Sequence, residues 1–205
     1  MKAYLFLNGD PPRRLPEKDR FSVCADGAYT YLAARNYLPD VVLGDFDSVS
    51  LTAVDPAVEI VRFPVEKDYT DGHLAMRLLA ERGCTELEIY GAFGGSRPDH
   101  ALCNYSLLAY ARELGMQAVL ADDAYTVRLL TGTYSATAAK GAVVSLVPFS
   151  DEIHILYTKG LKYVAEGLTV DKTHIVSVSN AALGGMFSVS VTGSALLFVE
   201  RKEDI

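Results

Sequence analysis

The sequence has no tryptophan, only three cysteines, and no apolar stretch near the roughly 20 residues that a membrane-spanning helix needs. Cys24, Cys84 and Cys103 are an odd number and form no C-x-x-C pair. That argues against a disulfide-stapled scaffold or a zinc knuckle and for reduced thiols. Basic charge is also in short supply: 19 Lys+Arg stand against 26 Asp+Glu, a formal net charge of −7. Such a chain lacks the field that binds a nucleic-acid backbone, and it has no polybasic segment for a membrane surface. The opening run Met1–Leu7 is too short for a signal peptide and ends in the turn Asn8-Gly9-Asp10-Pro11-Pro12, so a cytoplasmic location is expected. No G-x-x-x-x-G-K-[ST], kinase H-R-D or D-F-G occurs, and no G-x-G-x-x-G follows the early strands. What remains is a 205-residue, half-hydrophobic chain able to bury a sizeable core, read as a globular enzyme or small-ligand binder.

Two grammars divide it. Up to about residue 124, short apolar runs alternate with helical patterns. The strand candidates are Ala3–Leu7, Phe21–Ala25, Val41–Leu43, Val58–Phe63, Glu88–Tyr90 and Ala118–Ala121, and the helix candidates are Ala28–Tyr37, Thr70–Arg82 and His100–Leu114. Near-continuous apolar strands between helices predict an α/β domain over 1–124: a mainly parallel, Rossmann-like sheet with flanking helices. Thr70 is expected to cap its helix, with Asp71 well placed on the helix dipole. From 125 to 205 the segments are short, β-branched or aromatic, and punctuated by glycine: Tyr125–Leu130, Ala142–Val147, Glu152–Tyr157, Leu161–Ala165, Ile175–Val178, Phe187–Val191 and Ala195–Val199. This half is predicted to be an all-β sandwich. Charge divides at the same place: residues 1–124 carry 12 basic and 19 acidic side chains, residues 125–205 seven of each.

The chemistry-bearing residues fall where predicted strands end. Asp45-Phe46-Asp47-Ser48 follows Val41-Val42-Leu43-Gly44; in extended backbone the two carboxylates face one way and can reach one ion. Hard oxygen ligands of this kind suit Mg²⁺ held jointly with substrate phosphates. Asp26 ends another strand in Cys24-Ala25-Asp26-Gly27, and Lys67-Asp68-Tyr69-Thr70-Asp71 opens a helix. Gly91-Ala92-Phe93-Gly94-Gly95-Ser96-Arg97-Pro98-Asp99-His100 is a glycine-rich strand-to-helix connection. Each segment alone is compatible with a solvated turn. In a parallel sheet, however, all four lie at the carboxyl edge, where α/β folds bind ligands. Carboxylates, Lys, Arg and a glycine loop together are what metal–polyphosphate chemistry requires.

These segments, with Ser145-Leu146-Val147-Pro148, Gly160-Leu161-Lys162-Tyr163 and Ser177-Val178-Ser179-Asn180 in the second half, resemble the thiamine pyrophosphokinase family over nearly the whole chain. The resemblance implies transfer of a pyrophosphoryl group from ATP to the hydroxyl of thiamine, releasing AMP. It also implies a homodimer with active sites at the interface. Position by position, it makes Asp26, Asp45, Asp47 and Asp71 the Mg²⁺ and phosphate-region carboxylates. Asp26, Lys67, Arg97, Asp99 and His100 become the nucleotide side, Thr70, Ser179 and Asn180 the thiamine side, and Asp71, Asp47 and Arg97 the catalytic groups. Two departures stand out: Ser96 lengthens the loop before Arg97, and Ala181-Ala182-Leu183 follow Asn180. With no tryptophan, stacking on thiamine falls to a Tyr or Phe. The rival readings are a hydroxymethyl-pterin diphosphokinase, a D-x-D phosphatase or nucleotide-sugar transferase, and a non-catalytic thiamine or nucleotide binder.

Overall fold

The computed structural model describes residues 1–46, 51–64 and 68–202. The chain divides into two compact units, Met1–Asp123 and Ala124–Ile205.

The first unit is built from β1 (Lys2–Phe6), β2 (Phe21–Ala25), α1 (Ala28–Ala33), β3 (Val41–Gly44), β4 (Glu59–Arg62), α2 (Asp71–Glu81), β5 (Glu86–Tyr90), α3 (Pro98–Asn104), α4 (Leu107–Glu113) and β6 (Gln117–Ala121). Its strands pair in parallel in the order β4-β3-β2-β1-β5-β6. The central strands are apolar throughout because both faces are covered, and the side-chain period of two assigns alternate residues to opposite faces. Tyr4, Phe6, Cys24 and Val42 share one buried cluster with Ala28, Tyr29 and Leu32 of α1. Leu5, Leu7, Val23 and Leu43, of the other parity, are also buried; α2 lies across β1, β2 and β3, and Leu7 and Leu107 close on Gly72. Phe6 anchors the α1 side, its ring 5.2 Å from Tyr37 and 5.7 Å from Tyr90.

Two predicted helices are shorter than the apolar periodicity indicates. α1 stops at Ala33 because Asn36 turns left-handed (φ 56°) and the Tyr37 amide returns to the Leu32 carbonyl, a closure in which Asn takes the place of Gly. The expected helix over His100–Leu114 is two helices. At the break the Ser106 amide and hydroxyl both bond the Cys103 carbonyl, while Asn104 Nδ2 leaves to donate to the Ala92 carbonyl at 2.9 Å.

The second unit contains β7 (Tyr125–Ala138), β8 (Val143–Pro148), β9 (Glu152–Lys159), β10 (Thr169–Asp171), β11 (Asn180–Ala181) and β12 (Gly185–Glu200), and all its pairings are antiparallel. β12 organises it. Its whole length pairs with β7, its first half with β9 and its second half with β8. The expected strands Phe187–Val191 and Ala195–Val199 are therefore one, and the expected Tyr125–Leu130 runs on to Ala138. The glycines read as strand ends, Gly132 and Gly193, lie at a register shift inside the β7–β12 ladder. Leu161–Ala165 and Ile175–Val178 are not strands. Leu161 makes a lone bridge to Ala182, and the Tyr163 backbone is held by the Asn180 side chain instead. Phe187, Val189 and Val191 alternate into the core with Val144, Leu146, Ile153, Ile155 and Leu197. Among the described residues no helix is long and apolar enough to cross a membrane.

Phe6→Ala removes the ring on which Tyr37 and Tyr90 rest, and urea unfolding is expected to show a loss of about 3–5 kcal/mol. A loss below 1 kcal/mol would mean that the aromatic cluster is not the anchor of this unit.

Candidate functional site

The order β4-β3-β2-β1-β5-β6 reverses direction at β1, and next to that reversal a crevice lies beyond the carboxyl ends of β1, β2 and β3. The crevice is a cavity of about 450 Å³. Leu7, Asn8 and Gly9 from the end of β1, Asp26 after β2 and Asp45 after β3 line it, with Thr70 and Asp71 at the start of α2. The glycine-rich loop after β5 contributes Gly94, Gly95, Ser96 and Arg97, and α3 contributes His100, Ala101 and Asn104.

The sequence explains how each group arrives there. Asp26 is buried and its amide donates to the Leu43 carbonyl at 2.7 Å, which continues the β2–β3 ladder past the strand end. Gly44 opposite has to be glycine, since a Cβ there would lie 2.7 Å from the Asp26 Cβ. Thr70 caps α2 with extended backbone (ψ 160°), its hydroxyl accepting the His73 amide and lying 2.8 Å from His73 Nδ1. Asp71 follows in the first turn, where the helix dipole favours a carboxylate. His73 is half-buried with its ring 5.0 Å from Tyr110, and burial lowers its pKa.

Arg97 reaches the cavity despite the extra Ser96, but as one half of a fork. Its Nη2 lies 2.6 Å and its Nε 3.0 Å from the two Asp99 oxygens. This pairing holds the exposed Asp99 carboxyl down to about 2. Asp99 itself does not line the cavity; it holds the residue that does.

Three expectations need correction or limits. The backbone through Asp45-Phe46 is not extended, because Phe46 is left-handed (φ 61°) with its ring packed against the α1-side core. The i, i+2 argument for Asp45 and Asp47 therefore fails in that form. Asp47 and Lys67 lie outside the described residues. Among the described residues no three His, Cys, Asp or Glu side chains stand close enough to hold one metal ion, so Asp26, Asp45 and Asp71 share a cavity without forming a closed cage. Ser179 and Asn180 belong to the second unit. Ser179 is left-handed (φ 61°), and its amide donates to Ser145 Oγ at 2.9 Å. Asn180 spends its amide on the Tyr163 backbone, accepting from its N–H at 2.9 Å and donating to its carbonyl at 2.7 Å. Asn8, Gly9 and Asn104 are among the lining residues that escaped the sequence reading, and so did Asp10 next to them in the chain. Asn8-Gly9-Asp10 looked like a plain turn, yet its place after the first strand, next to the reversal, is the signal that marks it.

Residues 12–120 match the family model described as thiamin pyrophosphokinase, catalytic domain, which is more than half of the chain. The chain belongs to the thiamin pyrophosphokinase family. Residues 133–196 match that family's vitamin B1 binding domain, and Asn8-Gly9-Asp10 precede both matches. The thiamine pyrophosphokinase of Bacillus subtilis (strain 168) is 24% identical, across 99% of this chain and 100% of the relative. Thiamine pyrophosphokinase 1 of Oryza sativa subsp. japonica is 26% identical, across 87% of this chain and 79% of the relative. The crystal structure of the Bacillus subtilis enzyme superposes with a TM-score of 0.83 at 21% identity, each chain fully covered. Yeast thiamin pyrophosphokinase gives 0.80 at 20% identity, covering 97% of this chain and 86% of that one. At these identities the superpositions establish the shared fold.

The Arg97–Asp99 fork sets a pH dependence. A depressed carboxylate pKa favours the native state above the unfolded value near 4 and loses that contribution as pH falls through about 2. NMR titration is expected to place the Asp99 carboxyl at about 2 in the native protein and to return it toward 4 in Arg97→Gln. An unchanged midpoint in that variant would show that the guanidinium is not the cause.

Proposed function

We propose that this chain is a magnesium-dependent thiamine diphosphokinase, active in the cytoplasm as a homodimer. It takes ATP into the crevice of the first unit and joins its pyrophosphoryl group to the hydroxyl of thiamine. The observation that carries the reading is the meeting of Asp26, Asp45, Asp71 and Arg97 around one cavity at the strand reversal. The matched vitamin B1 binding domain favours thiamine over a hydroxymethyl pterin as acceptor. On this reading residues 1–124 are a Rossmann-like ATP- and Mg²⁺-binding domain and residues 125–205 a β-sandwich that binds thiamine. Exposed apolar side chains on the second unit, Val164, Val176 and Met186 among them, support burial against another copy.

The donor set fits Mg²⁺. The cavity presents hard carboxylate oxygens without a closed cage, and Mg²⁺ is commonly held by one or two carboxylates with phosphates and water completing its shell. One or two of Asp26, Asp45 and Asp71 would hold it together with phosphate oxygens, and Asp47 follows Asp45 by two residues in sequence. When bound, the ion neutralises phosphate charge that the carboxylates would otherwise repel.

The protein's own groups then have distinct tasks. Arg97, presented by the glycine loop, exchanges part of its fork with Asp99 for phosphate oxygens. Lys67 and His100 complete the nucleotide side. Asp71 orients the thiamine hydroxyl and accepts its proton as the oxygen attacks the β-phosphorus. The new O–P bond forms as the bond to the α-phosphate oxygen breaks, and AMP leaves with the electron pair. On the thiamine side, Thr70 lies beside Asp71, Ser179 and Asn180 shape the second unit's edge, and Asn180 holds Tyr163, whose exposed ring offers the aromatic surface that tryptophan does not supply.

Incubation with ATP, Mg²⁺ and thiamine is expected to yield AMP and thiamine diphosphate in equal amounts by chromatography. ADP with thiamine monophosphate, or no AMP at saturation, would refute the assignment. Asp71→Asn should lower kcat by about 10²-fold or more while leaving the circular dichroism spectrum unchanged. Undiminished turnover would remove Asp71 from the proton-accepting role.

A further inference from the structure

Asn8 and Gly9 line the crevice, Asp10 follows them, and the proposed reaction gives none of the three a task. We infer that Asp10 is a positioning residue: its carboxylate clamps the glycine-rich loop and thereby fixes where Ser96 and Arg97 enter the cavity. This rests on reading that cavity as the ATP site.

The clamp is built from three bonds across the β1–β5 edge. The Gly9 amide donates to the Gly91 carbonyl at 2.8 Å, and the Asp10 amide donates to the Phe93 carbonyl at 2.7 Å. The third bond comes from the side chain: Asp10 Oδ1 accepts the Gly95 amide at 3.0 Å, from 85 residues away in sequence. Gly94 and Gly95 are both left-handed, with φ of 63° and 79°. A side chain on Gly94 would overlap Asp10 Oδ2, so the loop folds directly over the carboxylate. Two residues after Gly95 comes Arg97, which lines the cavity.

Two consecutive left-handed glycines have little conformational preference of their own, since glycine populates both signs of φ about equally. Something outside the loop has to select this geometry, and a side-chain oxygen that accepts a loop amide does so. The Gly95 amide is thus spent on Asp10, and the carboxylate acts on the loop through its acceptor oxygen. That feature separates a clamp from a metal or phosphate role, in which negative charge itself would matter.

Asp10→Asn keeps the acceptor oxygen and removes the charge, whereas Asp10→Ala removes both. Asp10→Ala is expected to lower kcat/KM for ATP about tenfold, the scale of one lost hydrogen bond, and to leave KM for thiamine unchanged. Asp10→Asn should stay within about threefold of the parent protein. Amide exchange gives a readout that needs no substrate: the Gly95 amide should be protected in the parent and in Asp10→Asn, and exposed in Asp10→Ala. Equal impairment of the two variants, or a kcat/KM for ATP unaffected by Asp10→Ala, would overturn the clamp. Should Asp10→Ala fail to fold, Asp10→Asn still decides, because lost activity with a protected Gly95 amide contradicts it. A parent protein that forms no AMP would refute the ATP reading separately, while the exchange result would still judge the clamp.

Discussion

The pairing of β1 with β5 is the constraint on which the rest of the first unit depends. β1 sits at the centre of the parallel sheet, and the chain's direction of winding reverses there. The pairing does not stop where the strands do. Leu7 bonds Tyr90, Gly9 bonds Gly91 and Asp10 bonds Phe93, so the two following loops are laid side by side as a continuation of the ladder. On one side of this seam the ends of β2 and β3 present Asp26 and Asp45; on the other the glycine loop presents Arg97. Backbone hydrogen bonding thus creates the site, and the polar side chains occupy an opening that it leaves.

Charge placement follows from that geometry. Residues 1–124 hold the whole acidic excess of the chain. Most of it is solvated surface, but Asp26 is 6% exposed and has been carried below the surface at a strand end. A buried carboxylate is costly unless the site is completed by opposite charge, and a wall with a second and third carboxylate raises that cost. Among the described residues that line the cavity, Arg97 brings positive charge, and it shares that charge with Asp99. A cation shared with a polyphosphate would complete such a site, in keeping with the function proposed above.

The parallel strands were legible because both faces are buried, so runs such as Val41-Val42-Leu43 are unbroken in apolar character. Gathering Asp26, Asp45, Asp71 and Arg97 at one edge needed only the rule that parallel strands end together. The misreadings have physical causes. Periodicity does not reveal that Ser106 and Asn104 divert their side chains to the backbone and split a helix. Glycine in a long ladder reads as an ending when it is a bulge, as at Gly132 and Gly193. Tertiary packing of the Phe46 ring overrode the extended backbone assumed for Asp45-Phe46. Asp10 stayed hidden because its partner Gly95 lies 85 residues away, and a turn signal is local.

The central claim is that the carboxylates at the strand ends receive ATP through Mg²⁺. Calorimetric titration of ATP into the parent protein and Asp26→Asn, each with and without Mg²⁺, tests it without turnover. Binding should require both the ion and Asp26, falling at least about tenfold when either is removed. Equal affinity in all four titrations would contradict the account.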